Sequence, residues 1–386
     1  DPIEIVWGGR VIRTEEFTCE LKSKSKNLAG LAVAGRGTVD VGDPNTPIFE
    51  GMLYEVGALM VDGSESSHSL ALVTDDKTIF IQAPHEVFED ESLRSGVRAR
   101  IRVHVRTGDN GIEYYLPDAD NQYIQYLDAK PDLTPVGVQD QVITRPIRVI
   151  PVNLNDVSLP AYCSKTYLER MFETSPDGMT IRAYYRNVSN GLFEVDATVV
   201  EPVTVNRGTT DPIPADMFTC MSTSQGWANT AFAASVTRDG APPAGESVTY
   251  MFPTVCGGLG GFAFYSSPFS RGTSYNFYCN RADIVVHELG HNFAYGHASR
   301  NGDTYGDRAD VMGNTQYQYF NGARRMQGGG YGWIDLAVAQ IINPASGVYS
   351  LRAVDDNTPD LKVLRFDLSL IHISEPTRLR RISYAV

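Results

Sequence analysis

The segment His287–His297 reads H-E-L-G-H-N-F-A-Y-G-H and holds three of the seven histidines in the chain. His287 and His291 are four residues apart, so a helix would place both imidazoles on one face. Two such imidazoles form one edge of a zinc site, and Glu288 between them is placed to reach a metal-bound water. His297 would supply a third nitrogen. Three protein ligands leave one zinc position open, which is typical of a catalytic site.

The surrounding sequence favours a buried helix for this motif. The preceding segment 282–286 is largely apolar, and Ile284 lies on the same stripe as His287 and His291. Gly290 predicts close approach of another element, because it has no side chain. The alternative is an amphipathic helix whose histidines are satisfied by hydrogen bonds. A chance H-E-x-x-H is rare in a chain with so few histidines, so the zinc interpretation is favoured.

A second motif follows at Tyr305–Gly313, which reads Y-G-D-R-A-D-V-M-G. The pattern H-E-x-x-H-x-x-x-x-x-H, followed by Met312 in a tight turn, resembles the metzincin metalloproteases. The residues of the two motifs are similar to those of the gametolysin-type family. The resemblance covers roughly residues 145–345. It implies an α+β catalytic domain with a mixed twisted sheet, and a secreted zinc metalloendopeptidase that cleaves extracellular or cell-wall glycoproteins.

The resemblance also implies a role for each residue of the two motifs. His287, His291 and His297 would bind Zn²⁺, and Glu288 would be the catalytic general base. Met312 would lie in the turn beneath the metal, although a methionine can also simply fill a core. Three tyrosines follow this turn, and any one of them could help to hold an oxyanion: Tyr317, Tyr319 and Tyr331.

Ala294 departs from the metzincin pattern, which usually has glycine three residues after the second histidine. If the backbone needs a positive φ there, alanine costs on the order of 1 kcal/mol relative to glycine. Gly296 could carry the bend instead. If His297 is not the third ligand, the nearest carboxylates that could replace it are Asp303, Asp307 and Asp310.

Composition excludes several classes of protein. The 386 residues carry a net charge of −13, and no basic run is present to meet nucleic-acid phosphates. No stretch approaches the ~18 apolar residues of a membrane helix. The chain opens at Asp1 without a signal peptide, so we expect a processed form or a fragment of an extracellular protein. The sequon at Asn187 is compatible with secretion. The oligomeric state is open.

Five cysteines are present at positions that match no C-x-x-C metal pattern. We expect a disulfide between Cys256 and Cys279, which flank the approach to the zinc helix, and next a disulfide between Cys163 and Cys220. Buried free thiols are the alternative. Cys19 is left over, and its surroundings match no known inhibitory switch for a zinc site.

The chain is predicted to have several domains. Residues 1–140 are rich in short β-branched runs between turn signals, which predicts a small barrel or sandwich. In a gametolysin-like chain this part would be a prosegment, or it could be an accessory domain that holds substrate. Residues 130–135 read as a linker. Within the domain at 145–345 we predict helices over 162–172, 179–188, 216–237 and 335–342.

One strand of this domain has a predicted role in binding. Metzincins have an edge strand above the cleft that pairs with extended substrate. The segment 262–266, with Phe262, Ala263 and Phe264, is our candidate, and an ordinary core strand is the alternative.

The C-terminal segments have a separate interpretation. Residues 346–367 read as the first strands of a truncated β-domain. Residues 368–386 resemble an in-frame translation of a sequencing-library adapter, so we expect a non-native tail in which His372 is no ligand.

Two functions are therefore compared. The first is zinc-dependent hydrolysis of peptide bonds in a protein or glycoprotein substrate. The alternative is a non-catalytic secreted module that binds matrix or glycan and has a structural or degenerate zinc site. Ala294 is the feature that favours this alternative.

Overall fold

A computed structural model describes the chain in segments around a mixed sheet. The described residues are 4–7, 10–13, 46–60, 67–74, 77–88, 93, 95–108, 111–117, 123–128, 142–175, 180–207, 217–265, 271–298, 305–313, 318–321, 325, 340–342, 348–350, 364–366 and 382–384. Strands outnumber helices, and the fold class is α+β. None of the helices in these segments is long and apolar enough to cross a membrane.

Strands dominate the first third of the chain. They are β1 (Glu4–Trp7), β2 (Arg10–Arg13), β3 (Ile48–Met60), β4 (Ser67–Val73), β5 (Thr78–Gln82), β6 (Val97–Arg102), β7 (His104–Gly108), β8 (Gly111–Tyr115) and β9 (Ile124–Tyr126), with one short helix, α1 (His85–Phe88). The linker expected at 130–135 lies outside the described residues.

Helices and strands alternate in the next part. The elements are β10 (Ile143–Leu154), α2 (Lys165–Glu169), a π-helical turn (Arg170–Thr174), α3 (Ile181–Val188), β11 (Phe193–Val199), β12 (Val203–Val205), α4 (Met217–Asp239), β13 (Ser247–Met251), β14 (Leu259–Phe264), β15 (Thr273–Asn276) and α5 (Ala282–Asn292). Helix α3 ends as its sequence indicates, because Asn190 and Gly191 adopt positive φ angles of 54° and 82°.

Four short strands complete the described chain. They are β16 (Gln340–Ile342), β17 (Val348–Ser350), β18 (Leu364–Phe366) and β19 (Ile382–Tyr384). The helix expected over 335–342 is therefore wrong at its C-terminal end, where β16 pairs with β18. The β-branched isoleucines at 341 and 342 suit a paired strand better than a helix. The rest of that expected helix lies outside the described residues.

The largest sheet runs without interruption from β11 to β7. Its order is β11-β10-β13-β15-β14-β3-β4-β5-β8-β7, with β12 beside β10 and with β6 between β3 and β9. Strands β11, β10, β13 and β15 pair in parallel. Strand β14 is antiparallel to β15 on one side and to β3 on the other. The N-terminal strands and the strands after residue 142 thus share one hydrogen-bonded sheet.

The pairing of β14 corrects the expectation of an exposed edge strand at Phe262–Phe264. Both sides of β14 are paired, with Ala263 opposite Ser274 of β15 and opposite Gly57 of β3. The free edge expected from the local sequence is filled by a strand some 200 residues earlier in the chain. Local sequence could not reveal this partner, since a backbone edge accepts any extended segment.

Helices cover both faces of the parallel strands, so strand β10 is buried almost throughout. One core packs α4 with its Trp227 against the sheet, and it includes Val56 and Ala58 of β3. A second core on the opposite side contains α3, α5 and Met312. Tyr185 of α3 joins the two helices of that core, because its hydroxyl donates to the carbonyl of Val286 at 2.7 Å.

Two disulfides are present, and both differ from the expected pairs. Cys163 bonds to Cys279, and Cys220 bonds to Cys256. The expected pairing of Cys256 with Cys279 is therefore wrong, as is the pairing of Cys163 with Cys220. Proximity along the chain was a poor guide, because Cys220 on α4 bonds to the loop between β13 and β14, and Cys163 bonds to Cys279 just before α5. Cys19 lies outside the described residues.

Candidate metal centre

Helix α5 carries the first two histidines and is fully buried from Ile284 to Asn292. The imidazoles of His287 and His291 have ring centroids 4.8 Å apart. Asn292 anchors the end of the helix to the sheet, because its side-chain amide donates to the carbonyls of Phe264 and Thr273, each at 3.0 Å. The helix is thereby fixed against β14 and β15.

His297 joins these two residues to form a cluster. One ligand atom from each of His287, His291 and His297 lies within 4.8 Å of the others, and all three residues are buried. The sequence motif therefore brings together the three histidines that it predicts. Among the described residues this is the group that could hold a metal ion.

Backbone carbonyls fix the tautomers of the two helical histidines. The Nδ1 of His287 lies 2.7 Å from the carbonyl of Val311, and the Nδ1 of His291 lies 2.8 Å from the carbonyl of Tyr295. A carbonyl can only accept, so both Nδ1 atoms carry the proton. The Nε2 atoms then present lone pairs, which is the form that binds a metal.

Ala294 makes the bend between α5 and His297. Its φ is 69°, so Ala294 itself adopts the left-handed conformation. The φ of Gly296 is not positive. The suggestion that Gly296 carries the bend is therefore wrong. Alanine accepts the conformation despite its cost, and His297 still reaches the cluster. The hydroxyl of Tyr265 lies 3.4 Å from the Nδ1 of His297.

A turn around Met312 packs against helix α5 next to the cluster. Met312 is fully buried, and a Cβ added to Gly290 would lie 2.4 Å from its Sδ atom. Gly290 therefore permits the close approach that its lack of a side chain predicts. The amide of Ala298 donates to the carbonyl of Met312 at 2.8 Å. Through Val311 and Ala298 the turn is tied to both ends of the histidine motif.

The nearby aspartates accept hydrogen bonds from the turn and do not belong to the ligand cluster. The carboxylate of Asp310 accepts from the amide of Met312 at 2.8 Å and from the amide of Asn321 at 2.7 Å. Asp307 accepts from the amide of Ala309 at 3.1 Å. Neither belongs to the histidine cluster. Asp303 lies outside the described residues.

Glu288 is fully buried beside the cluster. Neither of its carboxylate oxygens has a hydrogen-bond partner. Burial raises the pKa of this carboxyl well above its ordinary value. A cation held by the histidines would favour the ionised form and oppose this effect. Gly261 of β14 makes room for the carboxylate, because an added Cβ there would lie 2.9 Å from Oε1.

Two tyrosines next to the cluster were not predicted from the sequence. The ring of Tyr265 lies 4.2 Å from that of His291, and the ring of Tyr305 lies 3.9 Å from that of His297. The sequence held one signal for Tyr305, which is the first residue of the second motif. Tyr319, one of the three tyrosines considered, is exposed and packs against Tyr184. Tyr317 and Tyr331 lie outside the described residues.

The donor set fits a zinc ion. Zinc prefers neutral imidazole nitrogens, and catalytic sites often combine three protein ligands with one open position. Here three histidines converge, and two have their tautomer set by a backbone carbonyl. Glu288 adds a buried carboxylate next to them but outside the ligand set. This arrangement suits a metal with a general base beside it.

Two of the comparisons with known proteins provide no information on this chemistry. No curated protein sequence is significantly similar to the chain. Among solved structures, one match is the second OB-fold domain of replication protein A from Methanococcus maripaludis. It has 20% identity, a TM-score of 0.16 and coverage of 23% of this chain and 91% of that chain. A TM-score this low supports no conclusion about fold or function.

The family comparison is informative. The sequence model of the family described as gametolysin peptidase M11 matches residues 159–339. That range includes the three histidines, Glu288 and Met312. The segment from residue 159 to residue 339 therefore belongs to the gametolysin peptidase family.

Proposed function

We propose that this protein is a zinc-dependent endopeptidase. The observation that carries the proposal is the convergence of His287, His291 and His297 beside the buried carboxylate of Glu288. The membership of residues 159–339 in a peptidase family supports the same reaction. Zinc, when bound, would polarise the peptide carbonyl and acidify a water molecule.

The residues of this chain would then perform the proton transfers. Glu288 takes a proton from the attacking water and later delivers it to the departing amine. Its buried position excludes bulk water, which strengthens its electrostatic interaction with the reacting groups. Met312 and Val311 hold the helix and His287 in place from below.

The substrate class follows from the reaction. A peptidase acts on proteins, and we propose extracellular or cell-wall glycoproteins as the targets of a secreted enzyme. Two disulfides in the described part of the chain support an oxidising compartment. The strongly acidic balance of the chain does not favour nucleic acid as a partner.

Metal analysis combined with a cleavage assay tests the proposal. We expect one zinc per chain and cleavage of an unfolded protein after limited proteolysis within residues 1–140. His291→Ala should lose the zinc and the activity. His104→Ala is a matched control, because His104 lies on β7 and packs against Tyr115. It should keep both properties.

The opposite outcome would support the alternative function. Stoichiometric zinc without cleavage of any unfolded protein, before or after proteolysis, would indicate a binding module with a structural metal. Cleavage that persists in His291→Ala would contradict the assignment of this histidine as a ligand.

A further inference from the structure

His297 is the histidine of the cluster that helix α5 does not carry. The helix ends at Asn292, and His297 follows the bend at Ala294, where φ is 69°. The amide of the next residue, Ala298, donates to the carbonyl of Met312 at 2.8 Å. This hydrogen bond fixes the main chain beside His297. The rotation of the imidazole is left to the contacts that its side chain makes.

The Nε2 atom of His297 faces the same space as the Nε2 atom of His291. A Cβ added to Gly57 would lie 2.7 Å from the Nε2 of His291 and 2.8 Å from the Nε2 of His297. A neutral imidazole that carries its proton on Nδ1 offers the lone pair of Nε2 to a metal. An acceptor next to the Nδ1 of His297 would therefore favour the tautomer that binds zinc.

The hydroxyl next to this nitrogen belongs to Tyr265, which directly follows β14. Its oxygen lies 3.4 Å from the Nδ1 of His297, and its ring lies 4.2 Å from that of His291. Tyr265 is buried, with 6% of its surface exposed. Its amide donates to the carbonyl of Glu55 at 3.0 Å, and its carbonyl accepts from the hydroxyl of Ser95 at 2.7 Å. The main chain of Tyr265 is thus held on both sides.

The two histidines of α5 have firmer supports than His297. The Nδ1 atoms of His287 and His291 lie 2.7 Å and 2.8 Å from backbone carbonyls, which can only accept. A phenol hydroxyl can donate as well as accept. Its distance of 3.4 Å from His297 is longer than the about 2.7–3.2 Å of a well-formed hydrogen bond. The tautomer of the third histidine therefore depends on a side chain.

A second tyrosine beside His297 makes a different contact. The ring of Tyr305 lies 3.9 Å from that of His297, but its hydroxyl donates to the carbonyl of Ala58 at 3.1 Å. Tyr305 therefore packs against the imidazole while its hydroxyl proton goes to strand β3. The two tyrosines form a matched pair, because phenylalanine at either position keeps the ring and removes only a hydroxyl.

We propose that Tyr265 is the positioning residue of the third zinc ligand. Its hydroxyl oxygen accepts the Nδ1 proton of His297 and so keeps Nε2 available to the metal. The inference rests on the proposed function and adds a residue to its metal site. Tyr265 acts through His297, and the zinc affinity of the site depends on this hydroxyl. Loss of an outer hydrogen bond to a ligand histidine typically costs about 10–100-fold in metal affinity.

The tautomer of His297 tests the inference in the metal-free full chain, without any measurement of hydrolysis. Two-bond proton–nitrogen correlation spectra of ¹⁵N-histidine-labelled protein distinguish a protonated ring nitrogen from one with a lone pair. Spectra are recorded above the ordinary histidine pKa of about 6.5, where the rings are neutral. We expect His297 to carry its proton on Nδ1. In Tyr265→Phe the tautomer ratio should shift by about fivefold or more towards Nε2.

Internal controls are available in the same spectra. The signals of His297 are identified by their absence from His297→Gln. The signals of His287 and His291 report on folding, because backbone carbonyls hold their Nδ1 protons in every variant. They should not change in Tyr265→Phe.

Zinc affinity is the second readout, measured by competition with a chromophoric chelator. Tyr265→Phe should bind zinc about tenfold or more weakly than the unmodified chain. Tyr305→Phe is the matched control. It should keep the zinc affinity and the His297 tautomer of the unmodified chain, because the ring contact with His297 remains.

The outcomes separate this inference from the proposed function. An unchanged His297 tautomer in Tyr265→Phe would overturn the inference, even if zinc affinity fell, because packing alone would then explain the fall. Equal losses of zinc affinity in Tyr265→Phe and Tyr305→Phe would overturn it for the same reason. An unmodified chain that binds no zinc would overturn the proposed function, whereas the contact between Tyr265 and His297 is decided by the tautomer without metal.

Discussion

Ala294 shows how much the site depends on a single backbone conformation. Its φ of 69° turns the chain from α5 towards His297, a conformation in which L-residues other than glycine are strained. The sequence correctly marks this position as unusual. It could not show that alanine itself adopts the turn, because that depends on the contacts that hold His297 and Tyr295 in place.

Ala294→Gly should raise the free energy of unfolding by about 1 kcal/mol, since glycine adopts this φ without the steric cost. Urea unfolding measures the change. Gly191→Ala is the matched reverse variant, because Gly191 has a φ of 82° and nothing lies within 4 Å of an added Cβ. It should lose about 1 kcal/mol. A destabilised Ala294→Gly protein would contradict this account of the bend.

Gly290→Ala tests the contact between α5 and the Met312 turn. The added Cβ would lie 2.4 Å from the Sδ of Met312, so the turn must move and the carbonyl of Val311 would leave His287. We expect zinc affinity to fall by about tenfold or more, as for other losses of a hydrogen bond to a ligand histidine. Competition with a chromophoric chelator measures the affinity.

Two further variants make this result specific. Gly290→Ala combined with Met312→Ala should recover much of the zinc affinity, because the smaller side chain makes room for the Cβ. Gly226→Ala on α4 has nothing within 4 Å of its added Cβ, so its zinc affinity should not change. An unchanged affinity in Gly290→Ala would mean that the turn does not position His287.

Individual elements show which parts of the fold a sequence can predict. The helix of the zinc motif follows from local periodicity, and α3 follows from periodicity and its capping residues, because those interactions lie within a few positions. Strand β3, one of the two partners of β14, is far from it in the sequence, and so are the two cysteines of each disulfide from one another. They depend on how whole elements pack, which no local pattern records.

Arg182 of α3 connects several elements through ion pairs. It contacts Glu173 of the π-helical turn at 2.7 Å and Glu194 of β11 at 2.9 Å. The hydrogen bond from Arg182 is the largest cause of the lowered pKa of Glu194. A lowered carboxyl pKa contributes stability above the ordinary value near 4.5, and this contribution is lost as the pH falls through the lowered pKa.

Arg182→Met should therefore lower the free energy of unfolding by about 1–2 kcal/mol at pH 7, a modest value because the pair is partly exposed. The difference from the unmodified chain should shrink as the pH falls below about 4.5 and through the lowered pKa of Glu194. Thermal unfolding across this pH range measures it. A difference that is constant with pH would show that the ion pairs do not stabilise this junction.

At the scale of the whole molecule, one sheet joins the N-terminal strands to the peptidase part through β3 and β14. The sequence predicts a β-rich N-terminal region and a metal motif, each from its own residues. It does not predict that the first region reaches the second, because nothing in the residues around Gly57 indicates a partner. The three-dimensional structure joins the two predicted parts in one sheet, in which β3 pairs with β14.

The most direct test of the central claim compares the unmodified chain with the Glu288→Gln variant. Both proteins are first cleaved by limited proteolysis within residues 1–140. Zinc content and the rate of cleavage of an unfolded protein are measured for both proteins. The account predicts equal zinc content and a rate lower by about 10³-fold or more in Glu288→Gln, because the general base is lost while the three histidines remain. Equal cleavage rates would contradict the assignment of this site as the catalytic centre.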